Sequence, residues 1–300
     1  MRNLFYLLLP VILFSCNSKE KNTAKDNADN VATKEIRTDL YGSWVGDFTV
    51  LERDTTKPEK ENYSNKINII IKKITESKVT AQSVVAGNNR PLSGTMTITG
   101  NTVHFILKEP GDDKNDGVFD FEIKNDSLLI GTWVANNAKK EVTKRKFELY
   151  KKDFKYDPNV MLPEDESYID YENPKEQEVT SSEDEVEDSE SKEDYTYVST
   201  VYRAASESIL TLNSSTKKLK ESDLKNLKKI DLEILRNTIF ARHGFSFKTK
   251  TVRQFFDSVE WYIPVSTNVD NQLTAVEKEN IAILKRFEKY AEDNYDSFGR

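Results

Sequence analysis

Acidity in this chain is gathered in one place. Residues 157–195 hold sixteen Asp or Glu against two Lys, a local balance of −14 inside a net charge of −7. Residues 1–156 then stand at +4 and residues 196–300 at +3. Self-repulsion extends such a segment, and its composition offers too little apolar surface to build a core. The charge run therefore predicts a disordered acidic linker over 153–195, densest at Ser181-Ser182-Glu183-Asp184-Glu185-Val186-Glu187-Asp188. It reads as a solvated spacer; the alternative is a patch that gathers calcium or a basic partner. A second stretch, residues 17–38, is rich in Asn, Lys, Asp, Thr and Ala. It reads as a tether reaching on the order of 26 Å as a flexible coil.

The first residues have the form of an export signal: Arg2, an apolar run from Leu4 to Phe14, then Leu13-Phe14-Ser15-Cys16. The run is too short to cross a hydrocarbon core, which needs about 20 helical residues. Small Ser15 before a cysteine resembles the lipobox of bacterial lipoproteins. That resemblance implies a signal peptide over 1–15, acyl chains such as palmitate on Cys16, and a lipidated tether over 16–39 anchored to a membrane. Asn17 lacks the aspartate that resembles an inner-membrane retention signal, so the outer membrane is expected. Lys19-Glu20-Lys21 leaves the membrane face open. Cys16 is the one cysteine in 300 residues, so an exported chain of this kind makes no internal disulfide. Its folded parts must stand on hydrophobic cores.

Residues 40–152 read as all-β. Lys66-Ile67-Asn68-Ile69-Ile70-Ile71, Gly94-Thr95-Met96-Thr97-Ile98, Val103-His104-Phe105-Ile106-Leu107 and Val118-Phe119-Asp120-Phe121-Glu122-Ile123 are short, partly alternating and rich in β-branched and aromatic residues. Turn signals at Gly87-Asn88-Asn89, Gly100-Asn101, Gly111-Asp112-Asp113 and Lys124-Asn125-Asp126 separate them. About eight strands are predicted, near 42–51, 64–73, 77–86, 91–98, 102–109, 117–124, 127–134 and 142–151, as an antiparallel meander closed into a barrel. Gly42-Ser43-Trp44 resembles the Gly-x-Trp opening of lipocalin-like barrels, where the tryptophan plugs the base, and Gly131-Thr132-Trp133 repeats it. A ligand cavity does not follow, because eight strands can enclose only their own side chains.

Residues 196–300 switch to helical punctuation. Ser222 and Asp231 stand where N-caps belong, Leu232, Leu235 and Ile239 recur at helical spacing, and Gly244 supplies a helix stop. Thr249 to Asp257 offers a second helix with Val252, Phe255 and Phe256 on one side. Thr274-Ala275-Val276-Glu277 is a capping box ahead of Ile281, Leu284, Phe287 and Ala291. The fold class is thus a two-domain α+β chain: an eight-stranded antiparallel barrel and a small bundle of three to four helices, joined by the disordered acidic linker.

Within the helical part, Leu235-Arg236-Asn237-Thr238-Ile239-Phe240-Ala241-Arg242-His243-Gly244-Phe245-Ser246-Phe247, followed by Trp261-Tyr262-Ile263-Pro264, closely resembles the YARHG domain. The resemblance runs over roughly 196–292, including Glu279-Asn280-Ile281, and implies a presumed extracellular bacterial module with no settled biochemical activity. Phe240 stands in the Tyr position, so a phenolic hydroxyl is missing. Arg236 and His243 lie seven apart and share a helix face, while Asn237 and Arg242 lie on other sides. Their structural reading has Arg and Asn satisfying backbone groups and His243 packing on Trp261 or Tyr262. Their functional reading is a cationic-aromatic site of Arg236, Asn237, Arg242, His243, Trp261 and Tyr262 for an anionic or carbohydrate-like envelope component.

Other chemistries find little material. The chain has two histidines, so zinc sites of usual spacing and Cys-His catalysis are excluded; His104 reads as structural or exposed. No nucleophile elbow accompanies either histidine. Gly111-Asp112-Asp113-Lys114-Asn115-Asp116-Gly117 fails as an EF-hand, with Lys114 in a ligand position and Ile123 where the closing Glu belongs. Lys217-Lys218 and Lys228-Lys229 are too sparse for a nucleic-acid stripe. The resulting expectation is a non-catalytic, lipid-anchored envelope binding protein without cofactors. Its partners would be the membrane and an envelope polysaccharide or protein, its modules held at adjustable distance by the linker. The alternatives are a lipocalin-like carrier of a small apolar ligand and an envelope hydrolase using His243.

Overall fold

Two-residue alternation builds the first domain. In the computed structural model, which describes residues 34–181 and 195–295, a 3₁₀ turn (Thr38–Leu40) leads into β1 (Gly42–Arg53), β2 (Ser64–Ile74), β3 (Val79–Val85), β4 (Asn88–Thr99), β5 (Thr102–Lys108), β6 (Gly117–Lys124), β7 (Leu128–Ala135) and β8 (Val142–Lys152). Each strand pairs antiparallel with the next and β8 closes on β1, giving the predicted closed barrel of eight strands. Its interior is filled by its own side chains. Trp44, Phe105, Phe119 and Phe121 are fully buried there, with Phe48, Trp133 and Phe147 packed among them. The Trp44 indole donates to the Leu40 carbonyl (3.0 Å), so the tryptophan seals the end where the 3₁₀ turn lies. The expected tether does not run to residue 39: Ile36 N–H donates to the Ile74 carbonyl at 3.0 Å and Glu35 bridges to Thr75. The signal sequence, Cys16 and the rest of the tether lie outside the described residues.

The second domain comprises α1 (Ser208–Thr211), α2 (Glu221–Leu224), α3 (Lys229–Arg242), α4 (Lys250–Phe256) and α5 (Ala275–Tyr290). Its core holds Leu232, Leu235 and Ile239 of α3, Phe255 and Phe256 of α4, and Ile281 and Leu284 of α5. The capping box at Thr274 and Glu277 forms as expected. The other two predicted caps are displaced. Asp231 is the third residue of α3 and accepts from the Lys228 N–H (3.0 Å), while Asp223, beside Ser222, accepts from the Lys220 N–H (2.9 Å). A carboxylate reaching back from the first turn satisfies the same free N–H groups that an N-cap would.

The linker is where expectation and structure part. Residues 153–168 are placed, and Leu162 and Tyr168 enter the helical core. β9 (Ile169–Ser181) and β10 (Tyr195–Ala204) form an antiparallel ribbon. Its base is fastened by fully buried Asp170, which accepts from the Arg203 guanidinium (Nε 3.1 Å), Asn173 (2.9 Å) and Gln254 (3.0 Å). Arg203 also reaches Asp293 (2.7 Å) and Glu233 (3.4 Å). Charge density pointed to a spacer, yet a buried cation answers the carboxylate at the ribbon's base and apolar residues dock on either side. The densest run, residues 182–194, lies outside the described residues.

Nor are the modules held at adjustable distance. Barrel and helices fall in one compact unit. The outward face of β1–β3 is covered: Val45, Asn68 and Val84 point away from the barrel interior yet are at most 2 % exposed. Asn68 donates to the Pro264 carbonyl (3.0 Å), the Lys66 ammonium to that of Val259, and Gly87 N–H to the Ser246 hydroxyl (3.0 Å). Gly87 sits at φ +74°, and a Cβ there would lie 2.6 Å from the Lys248 side chain. The approach of the two modules needs glycine twice over.

Candidate functional site

The motif Phe240-Ala241-Arg242-His243-Gly244-Phe245 is the end of a helix. Phe245 N–H donates to the Phe240 carbonyl (3.0 Å) and Gly244 N–H to that of Ala241 (2.9 Å), with Gly244 at φ +70°. This is the Schellman termination, completed by the apolar contact it usually carries: the Phe240 and Phe245 rings lie 5.8 Å apart. A Cβ on Gly244 would meet Val265 at 2.5 Å and Phe154 at 2.8 Å. Glycine, the two aromatics and small, buried Ala241 are thus explained by backbone geometry.

Arg242 and His243 are consumed internally. Arg242 is 2 % exposed; it donates to the Val160 carbonyl (2.9 Å) and the Ser215 hydroxyl (3.0 Å). Burial pulls its guanidinium down to about 10, with Glu277 nearby opposing. His243 Nε2 lies 2.8 Å from Glu277 Oε2, and its ring stacks on Tyr156 at 4.2 Å. The Tyr156 hydroxyl donates to the other carboxylate oxygen of Glu277 (3.1 Å). Burial works against ionising Glu277, but His243, the Thr274 N–H and Ser215 outweigh it and hold the acid at about 2. Trp261 donates to the Met161 carbonyl (2.8 Å) and buried Tyr262 to that of Phe245 (2.7 Å). His243 therefore packs on Tyr156 rather than on Trp261 or Tyr262. Arg242, His243 and Trp261 all grip residues 156–161.

The six predicted residues consequently do not form one site. Arg236 and His243 do share a face, the one turned to α5, where their partners Glu288 and Glu277 stand eleven positions apart. Arg236 holds Glu288 through two bonds (2.6 and 3.1 Å) and donates to the Asn237 side-chain oxygen (3.1 Å). Arg236 and Asn237 alone of the six line an open cleft, of about 320 Å³. Its remaining walls are Phe240, Phe245 and Phe247 and the loop residues Thr267, Asn268 and Asp270. The loop is drawn in by a parallel bridge between Phe245 and Ser266. Phe240, in the Tyr position of the motif, is a cleft residue. Thr267, Asn268 and Asp270 escaped the sequence reading because nothing local to them marks a site; only the chain reversal after Pro264 brings them across from α3.

Other groups singled out in the sequence have structural partners. His104 meets Asp120 at 2.6 Å on the barrel exterior. In the 111–117 loop, buried Asp116 accepts from Arg90 (2.7 Å) and the Gly111 N–H (2.8 Å), leaving that carboxylate committed to protein donors. Burial raises Glu109, which accepts from Trp133 (3.2 Å) and the Gly117 N–H (2.6 Å). Among the described residues no group of three or more His, Cys, Asp or Glu side chains is placed to hold a metal ion. No described helix is long and apolar enough to cross a membrane.

Residues 207–289 match the model of the YARHG domain. The match covers α1 to α5 almost in full and includes every residue of the cleft, so the chain carries a YARHG domain beside its barrel. No curated protein and no solved structure matches the chain.

Proposed function

We propose that this chain is a lipid-anchored, non-catalytic binding protein of the cell envelope, and that its YARHG domain takes a carbohydrate-like ligand in the cleft beside α3. One observation carries the reading: Arg236, Asn237, Phe240, Phe245 and Phe247 of the motif border an open cleft, closed on the other side by Thr267, Asn268 and Asp270. Arg242, His243 and Tyr262 are buried and bonded to the protein's own groups. A cleft of about 320 Å³ has the lower-end volume of a small-ligand site. Its phenylalanine faces suit the apolar side of a sugar ring, and Asn237, Thr267, Asn268 and Asp270 offer the paired donors and acceptors that hydroxyls need. The barrel, filled by aromatic side chains, is better suited to a scaffold than to a carrier. For a hydrolase, His243 is poorly disposed: its Nε2 is engaged by Glu277, and Ser215 bonds that carboxylate rather than the imidazole. Cys16 supplies the membrane attachment, at the outer membrane, with the lipobox as its support.

The test is calorimetric titration of residues 17–300 with soluble peptidoglycan fragments and with lipopolysaccharide-derived oligosaccharides. Saturable binding to one probe is expected, weakened about tenfold or more by Asn237→Ala or Asn268→Ala through the loss of one buried hydrogen bond. Binding untouched by both substitutions, or none to either probe, would remove the cleft from consideration. Turnover of a probe would overturn the non-catalytic part.

A further inference from the structure

We infer that β10 is a pairing edge through which two copies of this chain associate. The ribbon β9–β10 is unequal in its two edges. β9 carries Glu172, Lys175, Glu176 and Glu178, together with Pro174. Its base is also occupied: Tyr171 N–H donates to Gln254 (3.0 Å), and Lys250 pairs with Glu172 (3.1 Å). β10 runs Tyr195-Thr196-Tyr197-Val198-Ser199-Thr200-Val201-Tyr202 without a charge, a proline or a glycine. Among the described residues its far edge has no strand partner, since the sheet contains these two strands alone. Val198 is 61 % exposed and Tyr202 38 %. Natural sheets guard open edges with charges, proline or a covering element. β9 has all three guards; over residues 195–202 β10 has neither charge nor proline, and no described strand pairs with its far edge.

The charge pattern selects the occupant. Joining β9 to β9 would set rows of carboxylates about 5 Å apart across the new ladder. Joining β10 to β10 about a two-fold axis through residues 195–202 pairs two runs without charge and sends the β9 carboxylates to opposite rims. There they stand three strand spacings apart, about 14 Å, beyond the Debye length of about 8 Å at physiological salt. A β10-to-β10 contact is isologous, so one surface serves both copies. It also turns a two-stranded ribbon, marginal by itself, into a four-stranded sheet.

Sedimentation velocity of residues 17–300, which include every described residue, reads the proposal directly. From micromolar to near-millimolar concentration the weight-average mass is expected to rise towards twice that of one chain. Val198→Lys with Thr200→Lys places like charges on both sides of the new ladder, and should leave a monomer at every concentration while circular dichroism is unchanged. Glu176→Gln with Glu178→Gln should leave dimerisation intact. Amide exchange in β10 should slow as concentration rises, which a contact elsewhere on the molecule would not cause. A chain that stays monomeric overturns the inference, as does a dimer indifferent to the lysine substitutions. Capture of a different strand-bearing protein by a persistently monomeric chain would reassign the edge.

Discussion

At Glu277 one carboxylate serves two ends of the helical domain. It closes the first turn of α5 by accepting from the Thr274 N–H (2.9 Å), and it meets His243, the C-cap of α3 (2.8 Å). Because its acid is held at about 2 in place of 4.5, the folded state gains from the ionised form. That gain is complete above the ordinary carboxyl value and is lost as pH falls from about 4.5 towards 2. By linkage it amounts to about 3 kcal/mol. Glu277→Gln should thus lower the unfolding free energy by about that much at neutral pH, and the difference from the parent should close in urea titrations repeated towards pH 2. A difference independent of pH would mean that packing, not the charge, is what the glutamate supplies. The same residue shows how far single positions could be read in advance. Thr274 and Glu277 announce a capping box by spacing alone, but nothing in that spacing tells that the carboxylate has a second partner 34 positions earlier.

Strands and helices were legible where local chemistry decides them. Glycine and Asn-Asp turns bounded the eight barrel strands to within a few residues, and Gly244 ended α3 as its positive φ requires. What stayed hidden depends on contacts between elements. The run Lys66–Ile71 breaks two-residue alternation because the helical domain covers the outward face of β2, so both faces of that strand are buried. β9 was concealed by its own carboxylates, of which Asp170 at the base is answered by Arg203 of the next strand and Glu172 by Lys250 of α4. The seam between the modules yields a prediction of its own. Asp257, in the segment facing Lys66, is raised to about 6 by burial, with Lys66 and Arg253 opposing and Asp47 adding to the rise. The folded state therefore holds its proton more tightly than the unfolded chain. The contribution of this one carboxyl to stability is greatest below about 4 and falls as pH rises towards 6. Asp257→Asn should flatten that slope and, at pH 7, leave the protein more stable by up to about 3 kcal/mol. Thermal midpoints across that pH range decide the matter, and an unaltered slope would show that another group titrates there.

At the scale of the whole molecule, the covered face of β1–β3 and the gripping of residues 156–161 by Arg242, His243 and Trp261 bind the two modules from both sides. The chain passes from the last barrel strand directly through the helical domain before it reaches the ribbon. Neither module can then loosen without stripping a partner from the other, and the two should unfold together. The three tryptophans report on this: Trp44 and Trp133 belong to the barrel core and Trp261 packs against the helical one. Variants retaining Trp261 alone, or the barrel pair alone, should show coincident denaturant transitions. Val84→Asp buries a charge in the seam without touching the barrel interior. Its cost, several kcal/mol for an unpaired buried charge, should fall on the junction and split the transition into two, the barrel melting at the higher denaturant concentration. Separate transitions in the parent protein would mean that the two modules hold together too weakly to share their stability. Coincident transitions that persist in Val84→Asp would place the coupling in the 154–162 strap rather than in the barrel face.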